Sequence, residues 1–170
     1  MRRPAVALLR WDLLSLPARI RLDESWKRHL IVEFTYIAKE AVDSPRAGDI
    51  SCSVIVSSDT FRGKIPSVWF SREGLDHFLK ALEQLERTRQ GLVKLTNLSS
   101  LSKYNPLIFE IFSIDSRGNV GVHVELVKLS CDWEDQAPFR VVVSFPLDGE
   151  RFGAVVEEFR NFFGSTGKRV

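Results

Sequence analysis

The sequence predicts an α+β domain in which a mostly antiparallel sheet of about six or seven strands carries two amphipathic helices on one face. Two observations lead to this prediction. A strand followed by an amphipathic helix occurs twice. Residues 65–70 precede residues 71–89, and residues 140–147 precede residues 148–163, so the second copy lies 77 positions after the first. Alternating apolar and polar runs fill much of the remaining chain, and the short links between them favour antiparallel pairing.

The two predicted helices share an apolar stripe. In each helix the apolar side chains recur at the i, i+3, i+4, i+7 spacing that places them on one face. Ser71 is the expected N-cap of the first helix, and Asp148 occupies the equivalent position before the second. The repeat reflects either an internal duplication or two independent ways of covering a sheet. At the offset of 77 positions the stripe of Leu75, Phe78, Leu79, Leu82 and Leu85 aligns with Phe152, Val155, Val156, Phe159 and Phe162.

Further strands are predicted at residues 18–22, 29–39, 50–57, 92–98, 107–114, 120–128 and 139–147. The segments 107–114 and 120–128 form a hairpin, and pairing Ile114 with Val120 gathers an apolar face. Glu110 falls on that face in this register. Because an unpaired buried carboxylate is costly, Glu110 must either find a donor or lie at the sheet edge, and the edge is the favoured placement. The side chains predicted to point inward are Phe112, Ile114, Val120, Val122 and Val124.

Length and charge favour one domain. A chain of 170 residues with 44% apolar composition is long enough for one core, so residues 1–170 are assigned to a single domain. Residues 1–28 are a loosely assigned lead-in, and residues 164–170 are expected to fray. Residues 1–30 carry seven Lys or Arg against three acids, and the remainder carries 17 against 19. Because no basic stripe follows from this distribution, no nucleic-acid partner is expected.

The cysteines and the apolar runs bear on location. The sequence has only Cys52 and Cys131 and no C-x-x-C spacing, so neither a zinc site nor a disulfide framework is predicted. The longest apolar stretch, residues 30–38, contains Glu33 and is far shorter than the ~20 residues of a membrane span. We therefore expect a cytoplasmic protein with no membrane partner and no cofactor.

No catalytic, metal-binding or nucleotide-binding motif is present, so no residue is assigned to these roles. His29, His77 and His123 lie far apart in the sequence. His123 and Glu125 share one face of a predicted strand, where an imidazole and a carboxylate can transfer protons, although a half-exposed strand face explains both equally. An enzyme built from scattered residues, with Glu110 as a third member, is therefore a competing hypothesis. A structural or subunit domain is another.

One predicted loop has the composition of a binding segment. Asp132, Trp133, Glu134 and Asp135 place three acids around a tryptophan. Tryptophan is enriched at interface hot spots, and carboxylates steer a basic partner towards its site. The alternative is a solvated loop with Trp133 folded back onto the core. These four residues are the predicted partner-binding site.

The order of the elements between residues 29 and 163 carries a family resemblance. Residues 29–32 open a strand, and Phe70 and Ser71 lead into the first apolar stripe. Gln90 and Gly91 precede another strand. The turn and strand of the hairpin follow at residues 118–122, and residues 143–148 precede the last helix.

In this order the chain resembles the WapI-family immunity proteins, which are small cytoplasmic bacterial proteins that protect a cell against a contact-dependent toxin. The family pattern Asp-Gln-Ser/Thr-Tyr-Leu is replaced here by Asp148, Gly149, Glu150, Arg151 and Phe152, and the lead-in of residues 1–26 also departs from the family. The resemblance implies a binding protein rather than an enzyme. It implies a cognate toxin as partner, and the acidic body of the chain favours a basic toxin domain.

Overall fold

The computed structural model of the chain describes residues 19–23, 30–98, 106–128 and 139–164. Along these residues four strands and a helix are followed by four more strands and a second helix. The α+β class is therefore confirmed, and the repeated unit is larger than the strand and helix that the sequence indicated.

The first four strands form one antiparallel sheet in chain order. They are β1 (Arg19–Asp23), β2 (Ile31–Lys39), β3 (Ile50–Ser57) and β4 (Arg62–Phe70). Helix α1 (Arg72–Thr88) follows directly.

The start of α1 is held by two acceptors. The Gly74 N–H donates to Ser71 Oγ at 3.0 Å, which confirms Ser71 as the N-cap. The Arg72 N–H donates to Asp49 Oδ1 at 3.1 Å, and Asp49 lies at the end of the β2–β3 loop. The helix ends at Arg89, whose backbone is left-handed with φ of 56°. There the Arg89 N–H donates to the Leu85 carbonyl at 2.8 Å, so hydrogen bonds fix both ends of α1.

The second antiparallel sheet also follows chain order. Its strands are β5 (Leu92–Leu95), β6 (Leu107–Ser113), β7 (Val120–Lys128) and β8 (Phe139–Leu147). Helix α2 (Phe152–Phe159) continues into a π-helical turn, Arg160–Gly164.

Asp148 does not begin α2 as the alignment of the repeats predicted. Its backbone carbonyl accepts from the Arg151 N–H at 3.1 Å, and its Oδ1 accepts from the Glu150 N–H at 2.9 Å. These bonds close a turn before the helix. The N-cap is consequently Arg151, which makes no capping bond with its side chain.

The prediction of a single sheet is wrong, because the eight strands divide into two sheets of four. Alternation within a strand shows that one of its faces is buried, but it does not show what covers that face. Here the buried faces of both sheets belong to one core, where the rings of Phe34 from β2 and Phe109 from β6 meet edge to face at 5.1 Å. Helix α1 packs against β5 and β6, α2 packs against β1, and the two helices contact each other.

Four phenylalanines hold the sheets and helices together. The Phe159 ring of α2 lies 5.9 Å from Phe34 and 5.3 Å from Phe78 of α1, and Phe78 lies 6.3 Å from Phe109. Edge-to-face pairs of this kind add about 0.5–1.5 kcal/mol each beyond the burial of their area. Each half of the chain therefore depends on the other for its core.

The helix stripes are buried as predicted, with the exception of Leu79, which is half-buried. The offset of 77 positions relates both ends of β4 to those of β8. It also relates Glu83 to Arg160, and these two residues form an ion pair at 3.0 Å between the helices. Equivalent positions of the two repeats thus meet at the contact between α1 and α2.

The predicted hairpin register is wrong by one residue. Ser113, not Ile114, pairs with Val120, so Leu107, Phe109 and Ile111 point into the core. Phe112 is half-buried and Ile114 is 50% exposed, whereas Val120, Val122 and Val124 are buried as expected. The turn sets this register, because the Ile114 N–H donates to the Asn119 carbonyl at 2.7 Å.

Candidate functional site

The corrected register gives the second sheet an outer face of mixed chemistry. Side chains alternate between the faces of a strand, so the partners of the buried residues point outward. We call this surface the outer β5–β8 face. Its cross-strand rows are Leu92, Phe112, Gly121 and Pro146; then Lys94, Glu110, His123 and Ser144; then Ile108, Glu125 and Val142.

Three large apolar side chains of this face are open to solvent. Leu92 is 61% exposed, Ile114 is 50% exposed and Val142 is 49% exposed. Apolar side chains that are exposed on one sheet face are available for burial by another molecule. Leu92 lies in the first of these rows, and Ile114 follows β6 and lies beside Gly121 of the same row. Val142 lies in the third row.

The central row consists of one ion pair and one hydrogen-bonded pair. Lys94 Nζ lies 3.3 Å from Glu110 Oε1, and His123 Nδ1 lies 2.8 Å from Ser144 Oγ. Glu110 and His123 are directly opposite each other on β6 and β7. The row therefore brings a cation, a carboxylate, an imidazole and a hydroxyl into one line across the sheet.

Glu125 and Arg140 form a second ion pair on this face, with a shorter distance than that between Lys94 and Glu110. Arg140 Nη2 donates to Glu125 Oε2 at 2.6 Å, and the Glu125 side chain is only 8% exposed. The hydrogen bond, together with the attraction between the charges, raises the pKa of Arg140. Arg140 thus compensates the charge of a carboxylate that the sheet face has largely removed from water.

Three residues singled out from the sequence lie on this face, but not in the predicted arrangement. Glu110 points outward to Lys94 and does not lie on the apolar face, because the shift of one residue in register reverses the side chains of β6. His123 contacts Ser144, whereas Glu125 contacts Arg140, so the structure does not join His123 to Glu125 as a pair. The predicted binding residues Asp132, Trp133, Glu134 and Asp135 lie between β7 and β8, outside the described residues.

Sequence reasoning missed Leu92, Val142 and Arg140 as parts of this surface. Alternation along β8 could have indicated that Arg140 and Val142 point outward, because they alternate with Val141 and Val143, which face the core. Without the register of β6 on β7, however, the neighbours of these side chains could not be assigned.

Two clefts lie elsewhere on the described surface. One, of about 480 Å³, runs between α1 and β5 and is lined by His77, Ala81 and Lys94 among others. The other, of about 560 Å³, lies beside the β6–β7 turn and includes Arg89 and Arg117. Cys52 lines neither cleft, and burial raises the pKa of its thiol to about 12.

The described ranges contain neither a cluster of metal ligands nor a membrane-spanning helix. No three His, Cys, Asp or Glu side chains in those ranges are grouped as a metal ion requires. None of the helices in the same part of the chain has the length and apolar character needed to span a membrane.

Comparisons of the chain with family models, with curated proteins and with solved structures give no match. The geometry of the outer β5–β8 face and the order of the elements are therefore the observations that bear on function.

Proposed function

We propose that this chain is a non-enzymatic binding protein, most concretely an immunity protein that occludes the active surface of a cognate bacterial toxin. The observation that carries the proposal is the exposure of Leu92, Ile114 and Val142 on one sheet face. Polar groups that an interface buries have to be paired, and the apolar side chains around them supply the area that is removed from water. Lys94 with Glu110 and Arg140 with Glu125 supply such pairs on the same face.

The acidic segment between β7 and β8 extends this proposal. β7 and β8 form one side of the outer β5–β8 face, and Asp132, Trp133, Glu134 and Asp135 belong to the connection between them. In the proposed complex Trp133 anchors the toxin and the carboxylates attract a basic domain. The partner is a nucleic-acid-degrading or otherwise basic toxin domain in the cytoplasm.

The test begins with a neighbouring reading frame that encodes a large secreted toxin, whose toxic domain is then purified. Leu92→Ser and Val142→Ser should each weaken binding by ~1–2 kcal/mol, as truncation of interface anchors does. Val42→Ser is the matched control, because Val42 is 94% exposed in the β2–β3 loop, away from this face. Surface plasmon resonance gives the affinities. Equal affinities for Val142→Ser and Val42→Ser would remove the outer face from the interface.

The acidic segment has its own test. Trp133→Ala should weaken binding by ~2 kcal/mol or more if it is a central anchor. Asp132→Asn with Asp135→Asn should mainly slow association and flatten its salt dependence, because charges at the rim act on the encounter. Measurements at two salt concentrations separate these roles. Unchanged affinity for Trp133→Ala with an intact circular dichroism spectrum would exclude this segment.

A second candidate function is an enzyme that uses the central row. The observation that favours it is the 2.8 Å distance between His123 Nδ1 and Ser144 Oγ, since an imidazole at hydrogen-bond distance can activate a hydroxyl. A fluorophosphonate probe tests this directly. Labelling that is lost in both Ser144→Ala and His123→Ala would support the enzyme, and no labelling of the wild-type chain would count against a serine nucleophile.

A further inference from the structure

The first sheet presents an outer face that differs from that of the second. Its buried side chains include Ile20, Phe34 and Val54, so their neighbours along each strand point outward. We call this surface the outer β1–β4 face. Its side chains are Arg19 and Arg21 on β1; Ile31, Glu33 and Thr35 on β2; Ser51, Ser53, Ile55 and Ser57 on β3; and Arg62, Lys64 and Trp69 on β4, where Trp69 lies opposite Ser51 and under the Arg46 guanidinium.

This face is strongly basic. Among its described side chains, four are cationic and only Glu33 is acidic. Glu33 is already engaged, because Arg19 Nε lies 3.3 Å from its Oε1 and the Thr35 hydroxyl donates to the same oxygen at 3.3 Å. Arg21, Arg62 and Lys64 are exposed and make no ion pair with any residue in the described ranges. The unpaired charge of the face is therefore positive.

The register separates the cations into two groups. Arg21, Glu33, Ile55 and Lys64 form one row across the four strands. At ~4.8 Å between neighbouring strands, the backbones of Arg21 and Lys64 lie about 14 Å apart. The strip between them carries half-buried Ile31 and Ile55 together with small hydroxyl side chains and with Glu33, whose charge is compensated by Arg19. An α-helix with its side chains is about 10–12 Å across, which matches this strip.

We propose that the outer β1–β4 face docks an acidic, amphipathic α-helix of a partner protein. The helix lies along the strands, and its apolar stripe contacts Ile31 and Ile55. Carboxylates on one flank of the helix pair with Arg21, and those on the other flank pair with Arg62 and Lys64. This interaction goes beyond the proposed function, because it uses the opposite sheet and a partner of opposite charge.

Single-stranded nucleic acid is the other polyanion that a basic sheet face could attract. Proteins that bind it combine cations with aromatic side chains on which the bases stack. Between Arg21 and Lys64 the described side chains are aliphatic, hydroxyl-bearing or, at Glu33, acidic, and Trp69, the aromatic side chain of this face, already lies under the Arg46 guanidinium. The chemistry of the strip therefore favours a helix with an apolar stripe.

The test uses the full chain and a fluorescein-labelled, lactam-stabilised helical peptide of about 18 residues. The peptide has leucine at i, i+3, i+4 and i+7 and glutamate on both flanks. A matched peptide has glutamine in place of glutamate, and labelled oligo(dT) serves as the nucleic-acid probe. Fluorescence anisotropy should show binding of the glutamate peptide that weakens with salt, and at least about tenfold weaker binding of the glutamine peptide.

Arg21→Glu combined with Lys64→Glu should weaken binding of the glutamate peptide by at least about tenfold. Lys80→Glu is the control, because Lys80 is an exposed cation of α1. If the double variant does not fold, Lys64→Gln and Lys80→Gln provide the same comparison with smaller changes. Equal loss in the variant and its control would overturn the proposal, and so would tighter binding of oligo(dT) than of the glutamate peptide.

Discussion

At the scale of single residues, Asp115 has a large influence on the second sheet although it is exposed. Its carboxylate accepts from the backbone N–H groups of Arg117 and Asn119 at 2.9 and 3.2 Å and from the Asn119 amide at 2.7 Å. Gly118 completes the turn with φ of +87°. The side-chain hydrogen bond from Asn119 is the main reason why the pKa of Asp115 is lowered. These bonds fix the turn and, through it, the residues that face the core.

Asp115→Ala should destabilise the protein at pH 7, and the difference from wild type should shrink in acid. A carboxyl group whose folded pKa is depressed stabilises the fold above its unfolded pKa, which is ordinarily near 3.8. That contribution disappears as the pH falls through the folded pKa. Urea midpoints at pH 7 and pH 3 measure the effect. Asp43→Ala, in the β2–β3 loop, is the control, and an equal pH dependence in both variants would contradict the expectation.

At the scale of elements, the helices are stabilised by their buried stripes rather than by every apolar residue on them. Leu82 of α1 is completely buried, whereas Leu79 is half-buried at the margin of the core. The degree of burial along the stripe therefore depends on what packs against each position, which periodicity alone does not give.

Leu82→Ala should lower the free energy of unfolding by ~2–5 kcal/mol, because truncation leaves a cavity in close-packed surroundings. Leu79→Ala removes the same atoms from a half-exposed site and should cost about half of that or less. Chemical denaturation of both variants provides the comparison. Equal losses would mean that Leu79 is as buried as Leu82 in solution.

Much of the secondary structure was predictable from local pattern. The bounds of β3, β7 and β8 and the N-cap of α1 agree with alternation, periodicity and capping. The register of β6 was not predictable in this way, because apolar residues occupy both faces of its sequence, as Ile108 beside Phe109 and Ile111 beside Phe112 show. The turn at Asp115 determines this register, because it leaves the Ile114 N–H paired with the Asn119 carbonyl. The outer β5–β8 face depends on that register and was missed with it.

At the scale of the molecule, the two repeats share one core. Phe34 and Phe159 come from different halves and contact each other, as do Phe78 and Phe109. The number of sheets could not be read from the sequence, since a strand that buries one face looks the same whether a helix or another sheet covers it.

A chain divided between Gln90 and Gly91 tests this dependence. Each fragment alone exposes the apolar side of its sheet, so neither residues 1–90 nor residues 91–170 should give a cooperative thermal transition. Coexpression of both fragments should restore a soluble complex with the near-ultraviolet circular dichroism of the intact chain. A cooperative transition in either isolated fragment would show that a single repeat folds without its counterpart.

The shared core has a consequence for how many ligands the molecule can hold. Because both sheets turn their apolar sides towards the same phenylalanine cluster, their outer faces point away from each other. One face carries unpaired cations, and the other carries exposed aliphatic side chains among paired charges. In the two complexes proposed above, the toxin and the acidic helix would occupy opposite sides of the molecule, so a ligand on one sheet would leave the other sheet open. The chain would then bridge two partners of different chemistry that do not compete for one surface.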